Sequence, residues 1–386
     1  MRVLMMAPGG SVHSVRPLTW LLQRDSDVLF VDDTRPAVPE SRALSYAPYP
    51  LGAARRLWLG WRLSYRVGLV ELRWLARRFR PDIVHVHWVD HRAVACADAG
   101  LRPLVLSVWG SDINRLLLPD ADAAKRRQIG RALAKADLVF ADSPDMPAKC
   151  ATLAGKSVPV SILPLAIDTT LFRRADPAVV QTWRARLNVP EGAVLLMSAR
   201  AWGAVYQQEQ ILEAFVLARK AARRRAVLLF KTYNAGNYGE AAELTQRIRA
   251  RIDELGLAED VRWLSDLPLP ELPAVYSAAD AVINFPAMDG FPVTFMEAAA
   301  CECPVISVDL PAYDVELVRR FFRLVAPGDV GGLAAAMRDR IDAGPHANSD
   351  ALRQARALVV REYDQSVSAT RLVDHYADLL KQTRPR

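Results

Sequence analysis

Short runs of apolar, often β-branched residues recur along the chain. In the first half they are RVLMMA from 2, DVLFVD from 27, DIVHVHW from 82, PLVLSVW from 103, DLVFADS from 137 and VPVSIL from 158; in the second, AVLLMSA from 193, AVLLFKTY from 226, VRWLS from 261, AVINF from 281, PVISV from 304 and FRLVA from 322. Between most of them, including 121–135 and 145–154, apolar positions fall at helical spacing, as parallel βαβ units require. Six strands are predicted in each half, and only helix after 348. The stretch PLAIDTTLFRRADP, 164–177, has proline near both ends and no period, which suits an interdomain linker. Two doubly wound α/β domains follow. Facing one another, they place their strand C-terminal ends on one central cleft, where open α/β sheets take ligands.

Composition narrows the class. At 386 residues, 51 % hydrophobic and 24 % charged, the chain is long for one core and ordinary for a globular protein. It has no apolar run of 18 residues to span a bilayer, and MRVLMMAPGG breaks too early for a signal peptide, so it reads as a first strand. Cys96, Cys150, Cys301 and Cys303 form no CxxC pair, which fits a reducing cytosol. Charge is uneven: 55–80 carries eight arginines against the single acid Glu71, while the formal net charge of the whole chain is +7.

The stretch FPAMDGFPVTFMEAAACECPVIS, 285–307, reads as strand, loop, helix, strand. Pro292 suits the first helical position, so the amides of Gly290, Phe291, Val293 and Thr294 point out of a helix N-terminus, where an anion is favoured. Asp289 in that turn would repel a bare phosphate. It makes better sense gripping hydroxyls beside one, and Glu297, about a turn and a half deeper, suits a second set such as a ribose. A sugar diphosphate satisfies both. The plain alternative is a turn aspartate and a solvated helix glutamate. His85, His87 and His91 invite a metal, but His85 and His87 share a strand face, His91 lies beyond a turn and only Asp90 is at hand to complete a site, so no metal is expected. Gly9 and Gly10 close the first strand-to-helix turn and permit close backbone approach.

The run LPAVYSAADAVINFPAMDGFPVTFMEAAACECPVIS, 272–307, resembles the donor-binding signature of the retaining family 4 glycosyltransferases: an acid, seven residues, then Glu. APGG, DIVHVHW, VWGSDI, DLVFADSP, PLAID with Phe172, SAR at 198–200 and a terminal DHYADLL follow the family's order over nearly the whole chain. The resemblance implies a GT-B fold with two Rossmann-like domains: 1–167 on the acceptor side, 168–364 binding the nucleotide sugar, and 365–386 a helix packing back on the first. It also implies four catalytic candidates. Asp289 stands where the family usually has Glu on the transferred sugar, Glu297 holds the ribose, Arg200 holds the diphosphate, and His87 touches the donor sugar near the reacting carbon. Gly290, Phe291, Pro292, Val293 and Thr294 match the backbone lining sugar and phosphates, and Gly9 and Gly10 face the leaving diphosphate. His13, Gly110, Ser111 and Asp112 fall on the acceptor side. The family's lysine some five residues after the arginine is absent from WGAVYQQEQ, and Lys231, ending the next strand, is the substitute candidate.

On a helix wheel Arg55, Arg62, Arg66, Arg73, Arg77 and Arg80 line up beside an apolar stripe of Trp58, Trp61, Tyr65, Leu69, Leu72 and Phe79. Aromatics next to arginines suit docking at an anionic membrane through Arg55, Trp58, Trp61, Arg62, Arg66 and Arg73, with Gly60 and Gly68 as breaks. The alternative packs the stripe on the domain itself. The combined expectation is a metal-independent, retaining hexosyltransferase moving a sugar from a UDP- or GDP-sugar to an acceptor, read as lipid-linked, in bacterial surface glycan or glycolipid assembly. It needs no cofactor, does not bind nucleic acid, and is cytoplasmic and peripheral at the inner face of the plasma membrane. The rivals are a sugar-nucleotide hydrolase or epimerase on the same fold, and a non-catalytic polyanion binder using the arginines.

Overall fold

A computed structural model describes residues 1–39, 41–49, 61–232, 239–265, 267–345 and 349–383. The chain divides into two compact units, 1–165 with 365–386, and 166–364. The first holds a seven-stranded parallel sheet of β1 (Arg2–Met6), β2 (Asp27–Val31), β3 (Leu44–Ala47), β4 (Ile83–His87), β5 (Leu104–Val108), β6 (Leu138–Ala141) and β7 (Val160–Ile162), in the order β3-β2-β1-β4-β5-β6-β7. The second holds six parallel strands, β8 (Val194–Ser198), β9 (Ala226–Lys231), β10 (Val261–Leu264), β11 (Ala281–Asn284), β12 (Val305–Val308) and β13 (Arg323–Val325), in the order β10-β9-β8-β11-β12-β13. All six strands expected in the second half are present. In the first half β3 is an addition: its LSYA run is short, half exposed and at the sheet edge, and carries no apolar pattern to announce it.

The central strands β4, β5, β8 and β11 are buried along their full length, which is why they read as near-continuous apolar runs. Helices cover the sheets, and local chemistry sets their ends. Asp90 caps His91–Ala99 by accepting from the Arg92 amide, and Gly100, at φ 69°, terminates it in the left-handed conformation. The two C-terminal helices, Asp350–Tyr363 and Gln365–Thr383, belong to different units. Residues 164–177 are not a free linker. Ile167 bridges to Asp364, the Thr169 hydroxyl donates to Asp364 at 2.6 Å, and Ile167 and Phe172 are buried in the second unit's core, because their side chains offer apolar area worth burying.

The basic segment resolves partly. Arg55 and Trp58 lie outside the described residues, as do Gly60 and the side chains of Trp61 and Arg62. From Trp61 to Phe79 the chain is one helix that runs through Gly68 without a break. Leu72 is buried, and Leu69 and Phe79 pack on the same core. The Tyr65 hydroxyl donates to Asp98 at 2.8 Å. Arg73 donates to the carbonyls of Ala99 and Asp98 at 3.0 and 3.1 Å, a cation satisfying a helix C-terminus, so it is committed within the unit. The expected apolar stripe therefore faces the protein. A different one faces outward: Leu63, Val70 and Trp74 are each at least half exposed, with exposed Arg66, Arg77 and Arg78 beside them.

Candidate active site

In each sheet the strand order reverses beside a central pair, β1 and β4 in the first and β8 and β11 in the second. The loops leaving such a pair diverge to opposite faces and open a crevice at the strands' carboxyl ends. Arg200 follows β8 and Asp289 follows β11, and Ser198 stands in register with Ile283. The Ala287 amide donates to the Val205 carbonyl at 2.9 Å and ties the two loops together.

There the Arg200 Nη2 donates to Asp289 Oδ1 at 2.8 Å, with the side chains only 10 % and 12 % exposed. The Tyr206 ring lies 4.7 Å from the guanidinium carbon, and Tyr313 donates its hydroxyl to Asp289 Oδ2 at 2.8 Å. Burial pushes the Asp289 carboxyl upward, while Arg200, Tyr313 and the Gly290 amide pull it back. The expectation of Asp289 gripping substrate hydroxyls thus meets a carboxylate already engaged by three protein donors. Gly290, expected to offer its amide to an anion, instead gives it to Asp289 at 3.0 Å.

The helix that follows is Val293–Ala300, with Pro292 as its N-cap rather than its first residue. Proline has no N–H, so the outward donors there belong to Val293 and Thr294. Phe291 is buried, edge-on to Phe295 and against Tyr363, and can line a ligand only through its backbone. Glu297 is 6 % exposed rather than solvated, and its Oε2 accepts from the Tyr276 hydroxyl at 2.8 Å. Burial, then the Glu297 charge, drives the Tyr276 phenol well upward, so it stays a donor. Lys231 ends β9, which pairs with β8, so it sits on the strand next to the one leading to Arg200. Tyr206, Tyr276, Asn284 and Tyr313 were not anticipated. Their partners lie on other elements, and no sequence spacing marks them.

The first unit's crevice differs. The Gly9 turn serves the chain itself: a Cβ there would meet the Thr34 carbonyl oxygen at 1.8 Å, and the Gly9 amide donates to Asp32. Gly10 is exposed. His85 is fully buried with both ring nitrogens engaged, Nε2 by Ser107 at 2.7 Å and Nδ1 by Tyr376 at 2.5 Å. His87 stacks on it at 3.9 Å, is 3 % exposed, and neither of its ring nitrogens has a hydrogen-bond partner among the described residues. Burial pushes its pKa down to about 3, so it is neutral. It lines a cavity with Trp20, Ser107, Trp109, Asp142 and Leu372. His91 is exposed at a helix start, and no cluster of three or more metal-ligating side chains occurs among the described residues.

His13 meets the edge of Trp109 at 5.3 Å, next to Gly110 and Ser111 at the start of Ser111–Asn114. Asp112 does not line that face. Its Oδ2 takes the Val89 amide at 2.9 Å and its Oδ1 the Trp109 amide at 3.0 Å, so it clamps the β4 and β5 loops together. A cavity of about 690 Å³ in the second unit opens at the opposite ends of β8 and β11, where Arg184 and Asp280 pair at 3.1 Å and each also bonds to backbone.

Two parallel α/β units, each with side chains gathered at a topological switch point, define a paired Rossmann-like architecture. Residues 2–143 match the family described as glycosyl transferase 4-like, and 179–355 match glycosyl transferases group 1. The chain belongs to the group 1, family 4-like glycosyltransferases and has the GT-B fold. It is 30 % identical over 217 residues to a GDP-mannose-dependent α-(1-6)-phosphatidylinositol monomannoside mannosyltransferase of Mycolicibacterium smegmatis, a match spanning 54 % of this chain and 53 % of that enzyme. It is 26 % identical over 315 residues to D-inositol 3-phosphate glycosyltransferase 1 of Catenulispora acidiphila, spanning 79 % and 74 %. Among solved structures, Anabaena HepE in complex with UDP superposes with a TM-score of 0.76 at 15 % identity, covering 98 % of this chain and all of that one. Sucrose-phosphate synthase from Thermosynechococcus elongatus gives 0.76 at 16 %, covering 99 % and 100 %.

Proposed function

We propose that the protein transfers a sugar from a nucleoside-diphosphate donor to an acceptor hydroxyl with retention and without a metal, the donor lying on the second unit. One observation carries this: a guanidinium nine-tenths buried at the β8–β11 switch point, where a fixed positive charge in a poorly hydrated site meets a departing diphosphate. Arg200 supplies the charge that a divalent ion supplies elsewhere. Glu297, oriented by Tyr276, takes ribose hydroxyls on the oxygen Tyr276 leaves open. No side chain at this crevice has an activated nucleophile's surroundings, so rate comes from positioning and charge stabilisation, and the leaving phosphate takes the acceptor's proton. The base is uracil or guanine, in keeping with relatives whose names carry GDP-mannose and UDP.

The acceptor is lipid-linked, in surface glycan or glycolipid assembly, and the protein works at the inner leaflet. Support comes from the outward face of Trp61–Phe79, where Leu63, Val70 and Trp74 are exposed beside Arg66, Arg77 and Arg78, an interfacial pattern. Among the described residues no helix is long and apolar enough to cross a membrane.

The test is a thermal-shift panel of UDP- and GDP-sugars followed by transfer assays. A true donor at a hundred times its Kd stabilises the fold by about 2.7 kcal/mol. Glu297→Gln, which preserves volume, is expected to lose transfer while the fold survives. A panel without any stabilising donor, or undiminished transfer by Glu297→Gln, rejects the assignment.

A further inference from the structure

Arg200 carries five N–H donors in a planar fork. One goes to Asp289, one face rests against Tyr206, and the Nε donor is buried without a hydrogen-bond partner among the described residues. A guanidinium this buried with a donor to spare points to an anion as its further ligand. The carboxylate opposite it is not idle. Asp289 Oδ1 accepts from Arg200 and from the Gly290 amide, and Oδ2 from Tyr313.

Tyr313 is itself fixed. It is fully buried, meets the Phe295 ring edge-to-face at 4.8 Å, and its oxygen accepts from Asn284 Nδ2 at 3.1 Å. Asn284 Nδ2 also donates to Ser307 Oγ at 3.1 Å, and the Ser307 hydroxyl donates to the Val308 carbonyl at 3.0 Å. With Asn284 Nδ2 donating to the phenolic oxygen, the phenolic proton goes to Asp289. The buried relay from β12 and β11 therefore aims a hydroxyl at the carboxylate and holds it on Arg200. A diphosphate brought to the same guanidinium is a second anion beside the first, in surroundings that screen poorly.

From this geometry we propose that Asp289 and the donor's diphosphate compete for Arg200, with Tyr313 the positioning residue that keeps Asp289 in the contest, so that the carboxylate sets how tightly the spent nucleoside diphosphate is held. The proposal rests on the donor-site assignment above. It differs from a role for Asp289 confined to sugar hydroxyls, because a bare nucleoside diphosphate has no transferred sugar for Asp289 to touch.

Calorimetric titration of UDP and of GDP into the full chain separates these. Whichever nucleotide binds the wild type is expected to bind Asp289→Asn roughly tenfold more tightly, the worth of a charged hydrogen-bond partner, and Tyr313→Phe more tightly by about threefold. A merely structural role for Tyr313 gives no gain in affinity. Unchanged or weaker binding by Asp289→Asn overturns the competition. Should that variant fail to fold, Tyr313→Phe, which keeps the ring, decides alone, and equal affinity in it overturns the proposal. If neither nucleotide binds the folded wild type, the donor-site assignment falls and this inference with it; binding of equal strength in all three proteins removes only the inference.

Discussion

The two switch points share one topology and differ in their electrostatics. At the β1–β4 end of the first sheet two stacked imidazoles are buried and neutral, one committed to Ser107 and Tyr376, the other without a partner among the described residues, while the nearby Arg92 is held by Asp32 and Asp90. At the β8–β11 end of the second sheet they are charged and interlocked, a guanidinium against a carboxylate that a tyrosine steers. Desolvation acts on both but is answered differently. The histidines give up their charge, whereas Arg200 and Asp289 keep theirs by pairing. A neutral imidazole with unused ring nitrogens suits hydroxyls; a buried guanidinium suits phosphates.

The largest test of this contrast is Arg200→Ala. It is expected to lower kcat/KM for transfer by a hundredfold or more, the worth of one charge-stabilising donor at a leaving group, whereas Arg200→Lys retains part of the rate because it retains the charge. Comparable rates in wild type and Arg200→Ala would remove the second crevice from the chemistry.

The histidine pair sharpens the comparison within the first unit. His85→Phe breaks two buried hydrogen bonds and strands Ser107 and Tyr376, so chemical denaturation should show a loss of about 2–4 kcal/mol. His87→Phe breaks none and is expected to cost less than 1 kcal/mol while reducing transfer. Equal losses of stability would mean that His87, too, is structural.

Acid titration follows with its sign fixed. His87 has a folded pKa of about 3, below its unfolded value near 6.5, so its contribution is present above 6.5 and is lost as pH falls toward 3. Below pH 6.5 it costs roughly 1.4 kcal/mol per pH unit, and His87→Phe should lose correspondingly less stability than the wild type between pH 7 and 5. Asp112 acts oppositely. Burial lifts it to about 6, so its contribution is full below its unfolded pKa near 3.8 and declines as pH rises through 6, and Asp112→Asn should flatten that limb.

The smallest expected effect is at the exposed helix face. Trp74→Glu should reduce sedimentation with anionic vesicles several-fold at low salt and leave soluble-acceptor transfer untouched. Unchanged vesicle binding would leave that face an ordinary solvated surface.

Much of this was readable from the residues. The twelve expected strands are there because a parallel strand buried on both faces must be apolar along its length, a local property. Lys231 ends a strand, Arg200 and Asp289 lie in the loops that follow strands, and Glu297 lies on the next helix, since strand-loop-helix order fixes them. The arginine segment misled in one respect. Helical spacing showed two faces but could not say which packs inward, and it is the Tyr65–Leu72 side that does, with Arg73 drawn in by the carbonyls of a helix end. Gly9 misled similarly: two adjacent glycines signal close approach, and the approaching group is the chain's own Thr34 carbonyl.

What the sequence by itself determined was the alternation of strand and helix, the two switch points it implies, and the acid-and-arginine set at the second. What only the tertiary structure decided was who pairs with whom. Tyr313 reaches Asp289 across 24 residues, Tyr276 reaches Glu297 across 21, and Tyr376 reaches His85 across 291. A hydrogen bond depends on direction and distance in space, and periodicity along a chain encodes neither once the chain has turned back on itself.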